Sequence, residues 1–196
     1  MMPSRGQRVH VIVAVIPPSQ VLDEVEATLA LLPPPAGEFE PTSRTGLLIP
    51  VMTLGNVTRP QAGEIADLLR DGGAQPGPPP EVGLRGVWAL EDDGDPTVAL
   101  PLVGDVDRLD QLARSLPTLV AKHGFFVDRR RWAPRLTLGS VTPTTSLPFL
   151  ERLVDHLAGH TSQTWSVDSI ALARRRFDGS PDAWEVIETV GTTART

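Results

Sequence analysis

Two nine-residue segments, Pro50-Val51-Met52-Thr53-Leu54-Gly55-Asn56-Val57-Thr58 and Pro134-Arg135-Leu136-Thr137-Leu138-Gly139-Ser140-Val141-Thr142, agree at six of nine positions. Each is followed by a run of helical periodicity, so the two read as equivalent strands of two similar lobes. Strands that line a shared cleft would present the Thr53 and Thr137 hydroxyls from opposite walls. Alternation with period two then points Val51 and Arg135 the same way as the threonines. A guanidinium beside a threonine hydroxyl is a receptor for phosphate or carboxylate, through charge-assisted hydrogen bonds. Neither Val51 nor Arg135 exchanges a proton near neutrality.

Proton transfer would have to come from one of four histidines. His10 lies on a strand face opposite a row of valines and is the candidate substitute base, although such a histidine is more often a half-buried structural residue. His123 stands at a helix end near Gly124, where a cation favours the dipole. His156 and His160 are four apart, but Gly159 ends the helix between them and no third ligand is evident, so no metal site is expected. The chain has no cysteine, which removes thiolate zinc sites, iron–sulfur clusters, disulfides and cysteine nucleophiles. No cofactor is expected. Arg129-Arg130-Arg131 and Arg174-Arg175-Arg176 are basic runs that ordinarily mark solvated faces. They could also rim a cleft and meet an RNA backbone, a reading that stays open for Arg131, near the second motif, and for Arg174, on the last strand pair. Trp132 is read as packing between lobes rather than stacking on a base.

The elements that must position these residues are legible from periodicity. Val9, Val11, Val13 and Val15 form one face of an opening strand over 9–16. Ser19 offers an N-cap to a helix carrying Val21, Leu22, Val25, Leu29 and Leu32, which Pro33-Pro34-Pro35 ends. A strand over 47–57 and a helix through Ile65, Leu68 and Leu69 follow. The proline-rich stretch 75–80 is the strongest linker signal, and an inter-lobe connector is expected near 73–81. Strands at 82–90 and 97–103 form a hairpin about Asp92-Asp93-Gly94-Asp95. A helix through Leu109, Leu112, Leu116, Leu119 and Val120, a strand over 132–141, a helix over 147–157 and a final strand pair at 167–173 and 183–190 complete the chain. The order β-α-β-α-β-β-α-β-α-β-β with its hairpins predicts an α+β fold of two pseudo-two-fold-related lobes, antiparallel sheet with outer helices and a central cleft, as one bilobal domain over 1–196.

Composition agrees with one folded domain: 196 residues, 40% hydrophobic, net charge -6. The acidic total argues against general duplex DNA binding, which rests on cations that neutralise phosphates. Basic character nevertheless collects in the second half, with 12 basic and 11 acidic residues over 99–196 against 6 and 13 over 1–98. No apolar run approaches the length of a membrane span. The N-terminal stretch ends in Pro17-Pro18 without a small-residue cleavage site, so a cytoplasmic protein is expected.

The paired strands Val51-Met52-Thr53-Leu54 and Arg135-Leu136-Thr137-Leu138, the opening strand ending Val15-Ile16-Pro17, and the closing Val167-Asp168-Ser169-Ile170-Ala171-Leu172-Ala173-Arg174 resemble the two-histidine (2H) phosphoesterases, in particular the 2'-5' RNA ligase-like, RNA 2',3'-cyclic phosphodiesterase branch. The resemblance spans nearly the whole chain in element order. It implies a metal-free cleft in which each strand carries His-x-Thr, the histidines acting as general base and acid and the threonines bonding the phosphate. Carried over by position, Thr53 and Thr137 survive, whereas the histidine positions hold Val51 and Arg135. General acid–base catalysis contributes about 10²- to 10⁴-fold per positioned group. The expectation is therefore a catalytically degenerate relative that binds a phosphorylated nucleotide or RNA end through Thr53, Arg135 and Thr137. Two alternatives stay open: an active cyclic phosphodiesterase with a relocated base such as His10, and a non-enzymatic interaction scaffold with an occluded cleft, its protein partner unidentified.

Overall fold

A computed structural model describes residues 8–73, 76–92, 95–128, 132–176 and 183–193. Arg129, Arg130 and Arg131, and the tip of the acidic turn at Asp93-Gly94, lie outside the described residues.

The chain runs β1 (Arg8–Val15), α1 (Ser19–Ala30), β2 (Phe39–Pro41), a 3-10 turn (Arg44–Gly46), β3 (Ile49–Thr58), α2 (Arg59–Gly72), β4 (Glu81–Leu84), β5 (Trp88–Asp92), β6 (Asp95–Gly104), α3 (Val106–Lys122), β7 (Arg135–Val141), α4 (Leu147–Ala158), β8 (Trp165–Ser166), β9 (Ser169–Arg175) and β10 (Trp184–Gly191). Two antiparallel sheets result. One has the order β10-β9-β1-β3, and the other β2-β7-β6-β4-β8, with β5 also on β6. The fold is α+β, as the element order predicts. No described helix is long and apolar enough to cross a membrane.

The valine face of β1 is fully committed to the core, with Val11 and Val13 wholly buried. Among the described residues, most of the buried apolar side chains of both sheets and of the helices join one continuous cluster, and Ile12, Ala14, Leu48 and Ala173 form a second, small one. The helices cross between halves: α3 packs on α2 and β3, whereas α1 is tied to the end of α4. There Thr28 donates to the Glu24 carbonyl at 2.8 Å, so the 3.1 Å contact between its hydroxyl and His160 Nδ1 is one in which the imidazole donates. His156 Nε2 in turn donates to the Thr28 carbonyl at 2.8 Å.

Several local readings change. Ser19 is the first helical residue rather than the cap, the cap position being Pro18. Thr58 instead closes a reciprocal capping box with Gln61 at the start of α2, which converts the end of the first repeated segment directly into a helix. The strand expected over 82–90 is broken at Arg85–Val87, where Gly86 has φ +75°. Its two pieces follow one another along β6, β4 opposite Leu102–Gly104 and β5 opposite Asp95–Ala99. The short strands β2 and β8 fall where the sequence reads as loop.

Candidate functional site

The two repeated segments become β3 and β7, on different sheets, and they share an irregularity. On β3, Gly55 pairs with Val11 and Thr53 with Ile12, so Leu54 is an extra residue in the ladder. On β7, Gly139 pairs with Val98 and Thr137 with Ala99, leaving Leu138 extra in the same way. Both leucines turn into the core, 2% and 0% exposed. The matched bulge re-aims the strand beside each Thr-Leu-Gly triplet, as bulges near binding sites commonly do.

Thr53 and Thr137 border one open cavity of about 250 Å³. The rest of its lining is His10, Ile12, Thr42, Gly46, Leu48, Pro50 and Trp184. The structure thus brings together the two threonines that the repeat singles out, and it adds His10. That ring is half-buried, and burial, then the nearby Arg175 charge, lowers its pKa from the ordinary histidine value. The imidazole is therefore neutral and proton-accepting at neutral pH.

Arg135 opens β7 opposite Pro101, with no irregularity between it and Thr137. It shares that residue's face and is half-buried like it, whereas Leu136 between them is fully buried. It stands at the adjoining position on the cleft side, outside the residues that line the cavity.

Val51 is placed differently from the alternation reading. A second bulge on β3 pairs Met52 with Val13 and Pro50 with Ala14, so Val51 is the extra residue. Simple alternation holds only in an unbroken ladder, and here it fails between Val51 and Thr53. Val51 is 5% exposed and belongs to the core cluster. It borders a different, larger cavity of about 820 Å³, together with Asp110, Arg114, Lys122, Asp128 and Trp132. The residues that accompany Thr53 on the cleft wall are Leu48 and Pro50, two apart, both without a titratable group. Trp132 sits behind β3, its indole N–H on the Pro50 carbonyl at 2.9 Å, while Asp128 donates its backbone N–H to the Thr53 carbonyl at 2.9 Å. Trp132 thereby braces the strand between the two halves, as its position suggested.

Sequence reasoning missed Leu48, Pro50, Thr42 and Trp184 as cleft residues. A bulge leaves no composition signal, and Trp184 reaches the site only because β10 folds back beside β9. Of the other histidines, His123 bonds the Leu119 carbonyl at the end of α3, and His156 and His160 serve the junction of α1 with α4. Among the described residues no group of three or more His, Asp or Glu side chains is arranged to hold a metal. Arg174 is paired with Glu185 at 2.8 Å.

No family model matches the sequence, and no curated protein matches it. Solved structures do match. Escherichia coli LigT in complex with 3'-AMP superimposes with a TM-score of 0.74 at 16% identity, over 96% of this chain and 100% of that one. A protein described as a phosphoesterase gives 0.72 at 17% identity over 96% and 100%, and a Thermus thermophilus protein 0.71 at 17% over 95% and 100%. LigT has also been solved with NADP+ and with ATP. The chain has the fold of LigT along essentially its full length, the fold that the resemblance implies.

Proposed function

We propose that the cleft binds a phosphorylated nucleotide or RNA end in a cytoplasmic setting, and that this chain does not perform the two-histidine reaction. The phosphate is held between Thr53 and Thr137, with the Arg135 guanidinium beside Thr137 supplying charge. The observation that carries this reading is the cavity lining itself: both threonines are present, and the residues beside Thr53 on its wall are Leu48 and Pro50. An open cavity at the convergence of the two repeated strands favours a ligand over the occluded cleft of a scaffold. The nucleotides found with LigT support the ligand class.

The test is an assay of the purified protein on 2',3'-cyclic nucleotides and 2'-5'-linked oligonucleotides without added metal, beside a binding measurement. Binding without turnover is expected. Robust turnover that disappears in Thr53→Ala and Thr137→Ala would overturn the degenerate reading.

One observation favours a second reading, namely that His10 lines the same cavity and has a lowered pKa. A neutral imidazole there could serve as a single general base on a bound phosphodiester. In that case the rate would fall on the acid side, through a pKa below the ordinary 6.5, and His10→Ala would abolish it with substrate binding retained.

A further inference from the structure

The lining of the cleft is chemically divided. Thr53, Thr137 and Thr42 supply hydroxyls, whereas Ile12, Leu48 and Trp184 supply an apolar shelf. Trp184 is the first residue of β10 and pairs with Arg175 on β9. Its ring packs on a small cluster of Ile12, Ala14, Leu48 and Ala173, separate from the main core. Alanine at 173 leaves room for the indole to reach back over β9 towards β1. The ring also lies 5.8 Å from His10, tilted by 50°, so the two are not stacked and the indole is not closed off by a parallel partner.

The ladder fixes where this shelf stands relative to the threonines. Ile12 pairs with Ala173 on one side and with Thr53 on the other. The shelf that supports the indole therefore ends one strand spacing, about 4.8 Å, from the Thr53 row. A ligand filling the cavity meets both an aromatic surface and threonine hydroxyls.

Resting on the phosphate reading above, we infer that Trp184 is the base-recognition surface of this cleft, and that the ligand is a nucleoside phosphate whose base packs on the indole while its phosphate lies between Thr53 and Thr137. Stacking of this kind accepts any base, because every base has a π-face, and it separates nucleotides from simple sugar phosphates.

The experiment compares 3'-AMP, adenosine and ribose 5-phosphate by calorimetry on the wild type, Trp184→Leu, Trp184→Phe and Thr53→Val/Thr137→Val. Tryptophan fluorescence is followed in parallel. The wild type is expected to bind 3'-AMP about 10-fold or more tightly than ribose 5-phosphate. Trp184→Leu should remove that advantage, and Trp184→Phe should keep most of it. 3'-AMP should quench the wild type, and the quench should vanish in Trp184→Phe, which retains an aromatic ring and needs no rearrangement of the shelf. Two results would overturn the inference alone: an unchanged preference for 3'-AMP in Trp184→Leu, or a quench that persists in Trp184→Phe. Equal binding of adenosine and 3'-AMP, unaffected by Thr53→Val/Thr137→Val, would instead overturn the phosphate reading and leave the aromatic surface standing. Failure of all three compounds to bind at millimolar concentration would overturn both.

Discussion

Thr53 on β3 and Thr137 on β7 belong to different sheets, yet they border the same cavity, each followed by a bulged leucine buried in the core. The repeat in the sequence is thus a repeat in backbone irregularity as well as in residue type. In both strands the extra residue is the leucine of a Thr-Leu-Gly triplet.

If these hydroxyls hold a phosphate, their removal should weaken binding with little cost to the fold. Thr→Val keeps shape, and both side chains are only half-buried. Each of Thr53→Val and Thr137→Val is expected to lower phosphate or 3'-AMP affinity by about 10-fold, the scale of a hydrogen bond to a charged group. Calorimetric titration checks the affinity, and thermal melting should show near-wild-type stability.

The bulge at Val51 makes a prediction about reconstructing a histidine. Val51→His would place an imidazole on the larger cavity that Val51 borders, and it would not join the lining shared by Thr53 and Thr137. Leu48→His enters the cavity lining directly. Any gain of metal-free activity on 2',3'-cyclic substrates, tested with Arg135→His in the same chain, is expected from the Leu48 variant and not from the Val51 variant.

At the junction of α1 with α4, His160 donates from Nδ1 to Thr28, while its buried Nε2 finds no partner among the described residues. Protonation would bury a charged N–H without an acceptor. Burial accordingly lowers the His160 pKa, opposed by Glu24 and reinforced by His156. A depressed folded pKa means that the unfolded chain takes up the proton first. Stability is therefore at its plateau above about pH 6.5 and declines as pH falls towards the folded pKa. Melting temperatures should drop between pH 7.5 and 5.5, and His160→Gln should flatten that drop. His10, lowered in the same direction, accounts for part of the remainder.

Gly139 lies where β2 pairs with β7. A Cβ there would overlap the Phe39 ring and the Glu40 carbonyl, and the carbonyl cannot withdraw without disturbing the β2–β7 pairing. Gly139→Ala is expected to destabilise the protein by about 1–3 kcal/mol. Denaturant unfolding measures it, and Gly63→Ala on α2, where a Cβ meets nothing, is the control expected to be neutral or stabilising.

The sequence by itself determined the order of the four helices and the longer strands, the α+β class and the recurrence of one threonine-bearing strand motif. Valine alternation, proline stops, glycine ends and a six-in-nine repeat are local signals, each set by backbone sterics or by which face must leave water. It also singled out Thr53 and Thr137 as the pair to watch, because each of the two repeated segments carries one of them at the same position. Tertiary structure alone decided which neighbours share their wall. The register of β1 against β3 forces an extra residue at Val51, which turns that side chain to the core and leaves Leu48 and Pro50 beside Thr53. Trp184 and His10 are 174 positions apart in the chain, and they meet because β9 and β10 close the chain back onto β1. Such partners are chosen by ladder register and strand order, which depend on every strand at once and are written in no single stretch of residues.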